Sequence, residues 1–191
     1  MNQKKKINQQ VSARIISVVN QKGGVGKTTT TVNLATALAA VGKKILVIDF
    51  DPQGNASTGL GIEQNDRALT SYDLVLNDTS IREATKKTAV PGLFIIPATI
   101  DLTGAEIEMV SLVGREFRLK SALQNSEDAY DYIFIDCPPS LGLLTLNALA
   151  ASSAVLIPLQ TEFYALEGLS HLTRTVKLVQ GGLNPDLTIQ G

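Results

Sequence analysis

The sequence predicts an α/β fold, a mostly parallel β-sheet covered by helices on both faces. Two observations carry that reading. Short apolar runs rich in β-branched residues alternate with segments whose apolar residues recur at helical spacing, the pattern of strands joined by crossover helices. Three of the strand-like runs end in glycines or aspartates. Right-handed crossovers bring the strand carboxyl ends to one sheet edge, where ligands bind in such folds.

The elements follow in order. Residues 1–13 read as a flexible basic tail whose Lys4, Lys5 and Lys6 form a solvated terminus, and residues 14–191 read as one folded domain. "RIISVVN" from Arg14 is a continuous apolar run, as expected of a strand buried on both faces. After a glycine-rich loop, "KTTTTVNLATALAAVG" has helical spacing and stops at Gly42, a natural C-terminal cap. "KKILVIDFD" (43–51) is a second buried strand, and residues 52–65 are rich in turn formers. A weaker helical region spans 66–87 and a strand spans 93–98. One or two helices fill 101–125, with Asp101 as a candidate N-cap. "YDYIFIDCPP" (130–139) is a fourth strand, 141–151 a helix, 154–160 a fifth strand and 165–182 a long helix, with a further strand beginning at 187.

Composition narrows the function classes. The 191 residues are 44% hydrophobic and 18% charged with a formal net charge of −1, which excludes a disordered or highly charged chain and leaves nucleic-acid binding open. Cys137 is the one cysteine, so no disulfide forms within the chain and a reducing cytoplasm is expected. The amino terminus does not resemble a secretory signal. The apolar segment 141–151 is well short of a membrane span. A soluble protein is expected.

The chemistry concentrates in three places. In Lys22-Gly23-Gly24-Val25-Gly26-Lys27-Thr28-Thr29, three glycines let the backbone aim N–H groups inward as a nest for phosphate oxygens, and the following helix adds its positive end. Gly26-Lys27-Thr28 supplies the second half of a P-loop, with Lys27 for the β- and γ-phosphates and Thr28 for Mg2+. Asp136 ends the strand "YIFID", the usual place of a carboxylate that holds Mg2+ through water. Asp49 and Asp51 end another strand and share a face because strand side chains repeat every second residue. Asp51 is expected to orient or deprotonate the attacking water and to lie in the metal's surroundings, whereas Asp49 is expected to be structural or near the metal. An ordinary P-loop has glycine where this chain has Gln21, and Lys22 follows at once, so the loop carries a second lysine.

"KGGVGKTT" (22–29), "DFDPQGN" (49–55), "DCPPSLG" (136–142) and "PLQTEFYALEGL" (158–169) together resemble the ParA-type chromosome and plasmid partition ATPases, the Soj-like branch of the deviant-Walker-A group that includes MinD. The resemblance implies that Lys22 reaches across a nucleotide sandwich dimer to the partner's ATP, that Thr28 binds Mg2+ directly and that Asp51 is needed for hydrolysis. It also implies a cycle: ATP drives homodimerisation, the dimer binds DNA without sequence preference on the nucleoid, and a ParB-type partner stimulates slow hydrolysis. Chains of this branch generally continue beyond the segment matching "LNPDLTIQG", with further strands, helices and much of the adenine pocket, so this chain is expected to be a C-terminally shortened form.

Other readings are weaker. A MinD-like membrane-associated ATPase needs a basic amphipathic helix at the carboxyl end, and the "DPQGN" and "DCPPSLG" motifs favour the partition branch. An electron-transfer ATPase like nitrogenase iron protein needs two cysteines per subunit. A nucleotide-gated scaffold without turnover is opposed by Asp51. Cys137 reads as a small buried residue, the lone His171 as packing or solvent-facing, and Phe163 and Tyr164 equally as core or as partner contacts.

Overall fold

The computed structural model describes residues 13–124, 129–161 and 165–191. Among them seven strands form one sheet in the order β3-β4-β2-β5-β1-β6-β7, where β1 is Arg14–Val18, β2 Ile45–Asp49, β3 Lys86–Lys87, β4 Leu93–Ile96, β5 Tyr132–Asp136, β6 Ala154–Leu156 and β7 Thr188–Ile189. Every pairing is parallel except β3 with β4. The expected α/β class is therefore the observed one.

Side-chain parity divides the core. Ile16, Val18, Ile45, Val47, Ile95 and Phe134 face α1 (Lys27–Ala40) and α2 (Asn55–Gly59), while Ile15, Leu46, Ile48, Ile96, Ile133 and Ile135 face the opposite side. That side is covered by α3 (Ser71–Leu76), α4 (Ile81–Ala84), α5 (Leu102–Glu108), α6 (Arg118–Leu123), α7 (Leu143–Ala151) and α8 (Ala165–Gly182). Burial on both faces is why the strands read as unbroken apolar runs rather than alternating ones. In α1 the buried positions are Lys27, Thr31, Ala35 and Ala39, one residue per turn and mostly small, so the helix lies close on the sheet. It ends as the sequence predicts: Gly42, at φ 84°, donates its N–H to Ala39 O, and Lys43 N–H reaches Leu38 O.

Four expectations change. Ala13, placed in the tail, is buried in the core, while residues 1–12 lie outside the described residues, as do Phe163 and Tyr164. The turn-rich stretch 52–65 contains the short helix α2. The region 66–87 resolves into α3, α4 and the edge strand β3; α3 and α4 each open on a reciprocal capping box, Thr70 with Asp73 and Ser80 with Glu83, which stops and restarts the chain too often for one helix. Asp101 precedes α5 but does not cap it: its backbone is already helical, and its carboxylate accepts from the Thr99 hydroxyl instead. Among the described residues no helix is long and apolar enough to cross a membrane.

Phe134 is fully buried on the central strand β5, beneath α1. Phe134→Ala is expected to cost about 3–5 kcal/mol in urea unfolding, with little change in the denaturant slope. A loss below about 1 kcal/mol would mean that this side of the core does not close around the ring.

Candidate functional site

The parallel register levels the carboxyl ends of three neighbouring strands. Asp136 on β5 lies opposite Val18 of β1 on one side and Asp49 of β2 on the other. The chain leaving β1 therefore arches over the end of β5 before entering α1. Asn20 pins this arch: its amide donates to Pro158 O at 2.7 Å, and its carbonyl oxygen accepts from Lys22 N–H at 2.9 Å. The sequence pattern includes Asn20 in the strand-like run "RIISVVN", whereas β1 ends at Val18 and Asn20 belongs to the loop. Gly24 and Gly26 adopt φ of 75° and 90°, the left-handed region that favours glycine, and no atom lies within 4 Å of a Cβ built on either. Gly26 leads directly into Lys27 at the start of α1.

Lys27 is buried at the floor of the loop and its ammonium donates to Lys22 O at 3.0 Å. Burial lowers its pKa, with Asp136, Asp51 and Cys137 pulling the other way. Thr28 Oγ1 donates to Asp136 Oδ2 at 2.7 Å, and Thr31 Oγ1, one turn on, lies 3.2 Å from Asp136 Oδ1. These two hydroxyls do not offset the desolvation of the carboxylate, and the nearby Asp49 and Asp51 add like charge, so Asp136 is pushed up to about 7. Asp49 is also fully buried; burial raises it to about 6 against hydrogen bonds from the Ser57 hydroxyl and N–H and from Asp51 N–H. Asp51 is buried just past β2, and its Oδ1 accepts from Gln53 N–H at 2.9 Å.

Part of this constellation lines one cleft of about 310 Å³. Gly23, Gly24, Gly26, Lys27, Thr28 and Thr29 line one side, and Asp51, Gln53, Asn55 and Pro139 line the other. The structure thus brings Lys27, Thr28 and Asp51 to the cleft and puts Asp136 beneath it in contact with Thr28. Two expected binding residues stand apart. Val25 is buried, and Lys22 is exposed on the arch; neither lines the cleft, though Lys22 contributes its carbonyl to Lys27. Gln53, Asn55 and Pro139, which belong to the "DFDPQGN" and "DCPPSLG" motifs but carry no charge or nucleophile to mark them, also line the cleft. Cys137 is fully buried, and burial pushes its thiol well above the usual value, so it is an inert core group. His171 is exposed on α8.

The donor set suits a hard divalent cation. A buried carboxylate pushed toward neutrality by its surroundings, with a threonine hydroxyl against it, offers oxygen ligands, and the Lys27 ammonium nearby does not cancel the cost of its burial. Mg2+ bound through one or two protein oxygens together with phosphate oxygens would offset that cost.

Comparison with known proteins shows the family. The AAA domain family matches residues 13–189. The chain is 58% identical to the sporulation initiation inhibitor protein Soj of Bacillus subtilis over 178 residues, 93% of this chain and 70% of that protein. It is 60% identical to the chromosome partitioning protein ParA of Myxococcus xanthus over 178 residues, 93% of this chain and 63% of that protein. The chain therefore spans roughly two thirds of the length of these relatives. Among solved structures, cobyrinic acid a,c-diamide synthase from Mycobacterium smegmatis with bound ADP and magnesium superposes with a TM-score of 0.89 at 41% identity, over 94% of this chain and 73% of that one.

The two perturbed carboxylates give a pH signature. Without a cation, Asp49 and Asp136 hold protons in the folded state that they release on unfolding, where their values return to near 3.8. Their stability penalty is absent below the unfolded value and complete above the folded one, so stability falls as pH rises between about 4 and about 7. In chelator, Asp136→Asn is expected to gain on the order of 2 kcal/mol at pH 8 relative to the parent and to flatten the profile of melting temperature against pH. Parallel profiles for the two proteins would show that Asp136 is not the group responsible.

Proposed function

The chain belongs to the Soj/ParA family of chromosome-partitioning ATPases, and from that premise we propose that it binds and hydrolyses Mg-ATP at the glycine-loop edge of its sheet. The observation that carries the proposal is the convergence of Lys27, Thr28 and Asp51 on one cleft, with Asp136 directly behind Thr28. The magnesium bound to the solved relative supports the cofactor.

Each residue then has a task. The backbone N–H groups of Gly23 to Thr29 cradle the phosphates, and Lys27 exchanges its hydrogen bond to Lys22 O for the β- and γ-phosphate oxygens. Thr28 would hold Mg2+ directly and Asp136 would hold it through water, adding positive charge beside the buried Asp136 carboxylate. When bound, the cation neutralises charge that develops on the phosphates. Asp51, across the cleft, orients the attacking water and takes up its proton as the γ-phosphoryl group leaves ADP. Lys22, out on the arch, acts in trans: a second copy brings its ammonium to the phosphates of the first, as an arginine finger does. ATP thereby controls assembly. The dimer binds DNA through phosphate contacts, which weaken with salt, and a ParB-type partner hastens hydrolysis and separation.

Lys27 and Lys22 should separate in experiment. Lys27→Ala is expected to abolish Mg-ATP binding in a fluorescence titration, whereas Lys22→Ala keeps binding as a monomer and loses the ATP-dependent dimer seen by light scattering. Tight binding by Lys27→Ala sinks the phosphate-loop assignment, and normal dimers of Lys22→Ala sink the trans role.

Asp51→Ala is expected to keep Mg-ATP affinity while turnover falls about 10²–10⁴-fold, leaving ATP-bound dimers in place. Undiminished phosphate release by that variant removes Asp51 from the reaction.

A further inference from the structure

Arg67 follows a single 3-10 turn, Gln64–Asp66, and is buried. Its five N–H groups all go to neutral acceptors. Nε and Nη2 donate to Ile62 O at 3.2 and 2.8 Å, and Nη2 also reaches Thr58 Oγ1 at 2.8 Å. Nη1 donates to Ala98 O at 3.0 Å and more weakly to Gly54 O at 3.4 Å. Burying a guanidinium is costly, and here carbonyl dipoles from three separate segments offset the cost. The fork of the guanidinium suits this, since its donors diverge in fixed directions.

Both ends of the clamp lead to Asp51. On one side, Gly54 N–H donates to Asp51 O at 2.9 Å, closing the turn in which Gln53 N–H fixes the Asp51 carboxylate. Gly54 has φ 64°, and a Cβ there would lie 2.4 Å from Arg67 Nη1, so the close approach depends on glycine. On the other side, Ala98 N–H donates to Ser57 Oγ at 3.0 Å, that hydroxyl donates to Asp49 Oδ2 at 2.6 Å, and Asp49 Oδ1 accepts from Asp51 N–H at 3.3 Å. The circuit thus runs from Arg67 through Gly54 to Asp51, and back through Asp49, Ser57 and Ala98. Arg67 does not line the glycine-loop cleft; it lines a separate one of about 530 Å³, with Thr70, Tyr72 and Asp101.

We propose that Arg67 is a positioning residue for Asp51, locking the turn Asp51–Asn55 so that the Asp51 carboxylate faces the glycine loop, without itself touching nucleotide. The proposal rests on the reading of Asp51 as the residue that handles the attacking water.

The test compares Arg67→Gln, Arg67→Lys and Gly54→Ala with the parent chain, by Mg-ATP affinity, steady-state turnover and amide hydrogen exchange. Arg67→Gln is expected to bind Mg-ATP within about threefold of the parent while kcat falls at least about tenfold. Arg67→Lys should recover little of it, because an ammonium cannot span the same carbonyls. Gly54→Ala, which displaces the guanidinium but keeps its charge, should show the same selective loss. Amides of 53–58 should exchange at least about tenfold faster in all three, with those of 45–48 unchanged. In an Asp51→Ala background, Arg67→Gln should lower turnover no further, whereas a purely structural role would add its own loss. Parent-like turnover and exchange in a folded Arg67→Gln, or affinity and kcat falling together, overturns the proposal. If the parent chain itself does not turn over ATP, the functional reading fails, and exchange at 53–58 then judges the clamp separately: equal protection overturns it.

Discussion

Two buried aspartates side by side on adjacent strands are a liability in any protein interior. Here Asp49 and Asp136 are cross-strand partners, both fully buried, with Asp51 two residues beyond. Their desolvation and mutual repulsion organise this edge of the sheet. Thr28 and Thr31 face Asp136, Ser57 faces Asp49, and the ammonium of Lys27 is drawn in among them despite its own burial. Neutral donors ease the strain but do not cancel it, as the upward shifts of both carboxylates record. A cation bound there would relieve that cost and stabilise the folded state through the same oxygen atoms.

The scaffold makes this possible by dividing labour between its two faces. A single long helix with a facing stripe of small residues sits on the α1 side and delivers Lys27, Thr28 and Thr31 to the strand ends. The other face carries the bulk of the apolar packing. Polar chemistry is thus confined to the rim of one face, while the opposite layer supplies the hydrophobic stabilisation that a strained, charged edge requires.

Much of this was legible in the residues. The five main strands announced themselves as apolar runs because they are covered twice, and the parity of Asp49 and Asp51 follows from strand geometry alone. The glycine loop and its lysine, threonine and aspartate partners were readable because phosphate and metal chemistry restricts which residue types can serve. What stayed hidden was of another kind. Arg67 looks like any surface arginine; only the carbonyls of Ile62, Gly54 and Ala98, set by tertiary packing, make it internal. The strand Lys86–Lys87 has two residues and the wrong composition for a buried strand; it exists because it is an edge that only one neighbour, β4, needs to satisfy. Asp101 does not cap α5 because its own backbone is already helical and its carboxylate accepts from the Thr99 hydroxyl.

The level ends of β1, β2 and β5 also govern where the chain tolerates a change of length. A strand reads like a two-letter frame, in which deleting one residue from Tyr132–Asp136 turns the aspartate away from α1 and toward the opposite layer. No compensating substitution nearby restores both the core and the carboxylate, because both faces of these five residues are committed to burial. The stretch 110–114, which faces solvent and holds no part of the edge, carries no such frame. Drift in chain length is therefore channelled into the connections, and the spacing within these three strands is the most rigid arithmetic in the protein.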